Sequence, residues 1–156
     1  MAKSELTKQI ELALWNSTNK MGIYKCCEVG IRGSNQYYGS GEGIVDFVTY
    51  DTKGIWKCYE IKVSKADFNS KCIHTFVGNY NYYVMTRELY EKVKNNISKG
   101  IGVFLLSDDT MYSVKKATCQ KLGVSEEILK YSFMKSLSRE FDKGMKKNYA
   151  KRLRSK

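Results

Sequence analysis

Asp46, Glu60 and Lys62 are the residues whose types and spacing could do chemistry, because they interrupt two runs, 43–50 and 55–63, otherwise rich in Ile, Val, Phe, Tyr and Trp. Charged side chains in such strands need a partner or a task. The runs are separated by Asp51-Thr52-Lys53-Gly54, which predicts a β-hairpin closed by a three-residue turn with Gly54 in the left-handed position. Asp51 then pairs with Ile55, and counting five residues away from the turn on each strand sets Asp46 directly across from Glu60. Side chains alternate along a strand, so Lys62 shares the face of Glu60 while Ile61 points the other way into the core. Opposed carboxylates repel unless a proton or a cation sits between them. A hard divalent ion answers that demand: Mg²⁺ is typically held by one or two carboxylates with waters and substrate phosphate, and the backbone carbonyl of Ile61 is placed to help. Lys62 beside it could orient an attacking water or neutralise charge building on phosphorus. The plainer alternative is a salt bridge of Lys62 with Glu60 or Asp46 on an exposed sheet face.

The elements that must position these groups follow from pattern. Ser4 caps a packing helix over 5–16, with Leu6, Ile10, Ala13 and Leu14 at helical spacing. A strand over 24–31 leads into a Gly/Ser/Asn/Tyr-rich loop at 32–42, and if that loop closes symmetrically Glu28 opposes Asp46 as a further acid. Ser64-Lys65-Ala66-Asp67 reads as a capping box opening a short helix, with Asp67 as the cap partner of Ser64. Strands over 79–86 and 101–106, a helix from about 87 to 97, a short partner strand at 111–114 and a long helix capped by Ser125 complete the chain. Tyr80, Tyr82 and Tyr83 suit sheet packing, whereas nothing in the pattern around Tyr37 and Tyr38 demands burial, so these two are offered as stacking platforms for bases.

Composition narrows the classes. With 156 residues and 42% hydrophobic content, a single domain is expected. Twenty-seven Lys+Arg against 16 Asp+Glu give +11, which makes nucleic acid the first partner to consider and an acidic protein surface the second. Residues 135–156 hold nine of those bases against Glu140 and Asp142, a net +7, so a basic C-terminal helix or tail is expected either as a solvated face or as a nucleic-acid contact through Lys146, Lys147, Arg152 and Arg154. Cys26, Cys27, Cys58, Cys72 and Cys119 form no CxxC pair, and with His74 as the single histidine they match no common zinc spacing. Free thiols in a reducing compartment are the expectation. Neither a membrane span nor a signal peptide is evident, so a cytosolic chain is expected.

Asp46, thirteen intervening residues and then Glu60-Ile61-Lys62 resemble the Asp…Glu-x-Lys signature of the PD-(D/E)XK nuclease superfamily. More narrowly, Tyr59-Glu60-Ile61-Lys62-Val63-Ser64-Lys65-Ala66-Asp67-Phe68 and the aromatic strand around Tyr80–Met85 resemble small bacterial and phage proteins related to MmcB-like DNA repair proteins, the likeness running from Glu28 to about Leu106. Ile44 and Val45 stand where the family commonly carries an arginine shortly before the aspartate. The resemblance implies a restriction-endonuclease-like α/β/α core with a central mixed sheet flanked by helices, Mg²⁺ or Mn²⁺ as cofactor, and hydrolysis of DNA phosphodiester bonds leaving a 5′-phosphate. It implies Asp46 and Glu60 as metal ligands, Lys62 as the catalytic lysine, and Glu28 as a further acid, with Glu11 on the first helix as its rival. Lys65, Lys71 and His74, just past the signature, are placed to approach the substrate. DNA is thus the expected partner, in repair, recombination or phage DNA processing, with RNA and the pairing of two copies left open. Two rival readings stand beside it: the same fold binding nucleic acid without hydrolysis, and a basic interaction protein docking an acidic partner.

Overall fold

The structure is a computed structural model that describes residues 2–31, 43–70 and 75–156. One mixed sheet organises it, with strands β1 (Ile23–Gly30), β2 (Ile44–Asp51), β3 (Trp56–Ile61), β4 (Tyr80–Thr86), β5 (Gly102–Ser107) and β6 (Thr110–Lys115) lying side by side in chain order. β1, β2 and β3 are antiparallel neighbours, β3, β4 and β5 run parallel, and β6 returns antiparallel. The two parallel pairings require crossovers, supplied by α2 (Lys65–Asn69) and α3 (Arg87–Val93). α1 (Glu5–Ser17) precedes the sheet and α4 (Glu126–Arg154) follows it.

Strand alternation divides the core between two faces. Phe47, Tyr59, Ile61, Tyr82 and Val84 pack on one side with Ile10 and Leu14 of α1. On the other, Val48, Trp56 and Cys58 meet Leu129 and Phe133 of α4, while Met85, Val103 and Leu105 meet Leu89 and Val93 of α3. The result is the expected α/β/α sandwich, with α1 the one helix on its layer among the described residues. Aromatic pairs tie the layers: Tyr59 stacks on Tyr82 at 5.2 Å between centroids, and Phe133 meets Trp56 edge-on at 5.6 Å. Gly102 is required beneath that stack, because a Cβ there would lie 2.6 Å from the Tyr82 ring and 2.7 Å from the Ala117 backbone nitrogen.

Caps behave as their residue types dictate. The Ser4, Ser64, Thr86 and Ser125 hydroxyls accept from the N–H groups of Thr7, Asp67, Leu89 and Ile128 respectively, fixing the starts of α1, α2, α3 and α4. The helix expected to run to residue 97 stops at Val93 and continues as a 3₁₀ turn over Lys94–Asn96, because Ile97 turns extended (φ −85°, ψ 126°) and joins the α3 core cluster. Among the described cysteines Cys26, Cys27, Cys58 and Cys119 are free thiols. Burial pushes the thiol of Cys26 up to about 11 and those of Cys27 and Cys58 to about 12, so these three stay protonated and inert. Among the described residues no helix is long and apolar enough to cross a membrane.

Candidate active site

The β2–β3 hairpin closes as its turn residues require. Gly54 sits at φ +81°, its N–H donates to the Asp51 carbonyl at 3.0 Å, and the Asp51 N–H donates to the Ile55 carbonyl at 3.2 Å. From there the register runs Tyr50↔Trp56, Thr49↔Lys57, Val48↔Cys58 and Phe47↔Tyr59, so the next step faces Asp46 to Glu60 as expected. At that step the ladder opens. The Asp46 carboxylate enters the gap and its Oδ2 accepts the Ile61 N–H at 2.8 Å, while the next N–H, of Lys62, donates to the Val84 carbonyl of β4 at 3.0 Å. The N–H and C=O of one peptide point oppositely. The Ile61 carbonyl therefore points away from β4, toward the β2 side where Asp46 lies.

The Glu60 carboxyl lies within reach of Asp46, where a proton held on Glu60 favours the Asp46 anion, and one Glu60 carboxyl oxygen is shielded from solvent. Burial pushes the Asp46 carboxyl above its ordinary value, a rise enlarged by the Asp67 charge and opposed by the Ile61 N–H, by Glu60 and by the Lys62 ammonium. Lys62, only 7% exposed, lies just past the end of β3, with Nζ 3.8 Å from Asp67 Oδ1. Asp67 is thus more than a cap partner: its N–H donates to Ser64 Oγ, its Oδ2 accepts the Val63 N–H at 3.1 Å, and its other oxygen faces Lys62. The capping signal was visible in sequence; the reach of the Asp67 carboxylate back to residues 62 and 63 was not. Tyr83 was also read only as packing. It pairs in register with Glu60, whose charge together with burial pushes the phenol up, and it rests between Phe68 and Phe76 at 5.1 and 5.0 Å.

Glu28 is placed differently from expectation. The register does set position 28 opposite 46, between Cys27↔Phe47 and Val29↔Val45. Glu28 itself, however, adopts φ +52°, which breaks the alternation of β1, so that Cys26, Val29 and Ile31 all join the α4-side core. Its carboxylate pairs with Lys3 at 3.2 Å, and the same ammonium also binds Glu11. The two acids weighed as a further catalytic group therefore converge on one lysine beside α1. Lys65 is exposed at the start of α2, and Lys146, Lys147, Arg152 and Arg154 are exposed on the last part of α4. Tyr37, Tyr38, Lys71 and His74 lie outside the described residues.

Among the described residues no group of three or more His, Cys, Asp or Glu side chains forms a metal cage. The donors at the fork are all oxygens: two carboxyls in mutual contact and a carbonyl directed to their side. That set fits a hard divalent cation, which needs few protein ligands when water and phosphate supply the rest.

No family model matches the chain, and no curated protein matches it. Among solved structures it is similar to the SPO1766 protein of unknown function from Silicibacter pomeroyi, with a TM-score of 0.65 over 91% of this chain and 90% of that one at 14% identity. The likeness is one of fold.

Proposed function

We propose that this chain is a metal-dependent nuclease that hydrolyses DNA phosphodiester bonds, in repair, recombination or phage DNA processing. The observation that supports it is the fork between β2 and β3, where Asp46 and Glu60 touch beside the buried Lys62 ammonium. Asp46, Glu60 and the Ile61 carbonyl would hold Mg²⁺ or Mn²⁺, which when bound supplies Lewis-acid polarisation of the phosphate and a water of lowered pKa. Lys62 offers its N–H donors to the attacking water or to a phosphoryl oxygen, where negative charge grows as water adds to phosphorus and the bond to the 3′ oxygen breaks. Asp67 keeps that ammonium in place from its other side. Ile61 fixes the Asp46 carboxylate by its N–H, so the acid does not have to be reoriented during turnover. Lys65 and the bases of α4 hold the DNA backbone.

The test is an assay of the purified chain on labelled linear duplex, single-stranded and junction DNA, and on RNA, with Mg²⁺ or Mn²⁺ and with chelator. Cleavage of DNA should require the metal and should fall roughly 100-fold or more in Lys62→Ala while DNA affinity changes little. If every substrate stays intact in both metals, the same fold serves as a binding module and the hydrolytic reading is wrong.

A further inference from the structure

α4 is longer than the sheet it covers. It runs 29 residues, about 43 Å at the helical rise, and its buried side chains, Leu129, Ser132, Phe133 and Ser136, all belong to the first half. Phe133 meets Trp56 near the turn end of the β2–β3 hairpin, whereas the Arg139 guanidinium donates to the Glu28 carbonyl at 2.8 Å, and position 28 stands opposite 46. The helix therefore crosses the sheet toward the fork and leaves it there. Tyr59 and Ile61 turn to α1, so Glu60 between them opens on the face that α3 and α4 cover. The overhang and the fork share one side of the sheet.

One line of side chains changes character where the sheet ends. At steps of three and four residues, Leu129, Phe133 and Ser136 continue through Glu140 into Lys143, Lys147, Lys151 and Arg154, so the side of the helix that packs on the sheet turns basic past its edge. Glu140 is taken up by Arg139 at 3.2 Å and by Lys143 at 3.1 Å. Among the described residues Lys147, Lys151 and Arg154 have no carboxylate partner. From Arg139 to Arg154 the line is about 22 Å long, the rise of about six base pairs. A duplex stays straight over that span, its persistence length being about 50 nm, so helix and duplex run alongside with neither reshaped. A single strand would first have to be held extended, at a cost in ordering.

We infer that the overhang of α4 is an arm for duplex DNA, whose sheet-side bases Lys147, Lys151 and Arg154 follow the phosphates for about six base pairs to one side of the fork. The inference names the substrate of the proposed nuclease as duplex and rests on that reading for what happens at the fork.

Fluorescence anisotropy of the full chain in chelator, on a duplex of about 20 base pairs and on a single strand of the same length, tests it. Chelator keeps hydrolysis out of the readout, so a failure of the arm is told apart from a failure of the chemistry. Wild type should prefer the duplex at least tenfold. Two variants of equal charge separate position from net charge. Lys147→Gln, Lys151→Gln and Arg154→Gln together should weaken duplex binding at least tenfold near ~0.1 M salt and flatten the salt slope by about 2.7. Lys135→Gln, Arg152→Gln and Lys156→Gln together, which remove the same charge from the outward side and the end of the helix, should weaken it less than about threefold. All six positions are exposed, so both variants should melt as wild type does. Equal losses in the two variants, equal affinity for the single strand, or tighter binding to polyglutamate or anionic vesicles than to the duplex would overturn the inference.

Discussion

Asp46 stands between opposing influences. Burial disfavours its anion, and the Ile61 N–H, Glu60 and Lys62 favour it, with burial the largest. Its carboxyl is therefore raised in the folded chain relative to the unfolded one. Between the ordinary value of 3.8 and the raised value, the native state binds more protons than the unfolded state, so stability from this group falls as pH rises through that window and is lowest above it. Asp46→Asn removes the buried charge and keeps an oxygen that can accept the Ile61 N–H. In chelator at neutral pH the variant should match wild type or exceed it by up to ~1 kcal/mol, since burial, the largest influence on this group, disfavours only its charged form. The gap should shrink on acidification toward the ordinary carboxylate range. Urea titrations over a pH series measure it. A variant clearly weaker than wild type at neutral pH would mean that Asp46 serves mainly as an ion-pair partner of Lys62.

At the scale of elements, α4 carries the second expectation. Its exposed bases should act as phosphate contacts, each of which releases about 0.9 counterion from duplex DNA. Lys146, Lys147 and Arg154 replaced together by Gln, in a helix otherwise intact, should flatten the slope of log affinity against log salt by up to about 3. Filter binding or anisotropy at several salt concentrations measures it, and an unchanged slope would leave the basic end merely solvated. The elements also show what was legible in sequence. The β2–β3 register could be counted because Asp51 and Gly54 dictate the turn, and Ser4, Ser64 and Ser125 announced the starts of α1, α2 and α4. Glu28 could not be placed: its pairing with position 46 was countable, but the left-handed backbone that turns its carboxylate to Lys3 depends on tertiary packing of β1 against α4. The fork at Asp46 was equally hidden, since side-chain capture of the Ile61 N–H replaces a backbone bond that pattern alone would supply. Asp67 reaches Lys62 across a bend between β3 and α2 that no periodicity encodes.

The whole molecule couples this site to its stability. The sheet is shared with SPO1766 at 14% identity, so the architecture tolerates wide change in side chains, while the fork makes one local demand on it. Without metal the folded chain must hold Asp46 and Glu60 together; unfolding separates them. A cation that binds only the folded fork stabilises the entire domain by mass action, ~2.7 kcal/mol at a hundredfold excess over its dissociation constant. For a chain of this size each kcal/mol moves the melting temperature by roughly 2–4 °C, so saturating Mn²⁺ should raise it by about 5–10 °C. Asp46→Asn would lack one of the proposed ligands and should barely respond. Lys62→Ala separates ligation from charge: it removes no oxygen donor and relieves competition from the ammonium, so its response should equal or exceed that of wild type. Thermal scans of the three proteins across a Mn²⁺ series measure this without any substrate. A wild type indifferent to Mn²⁺ and Mg²⁺ would rule out the proposed metal at the fork, and with it the chemistry that would make Lys62 a catalytic group.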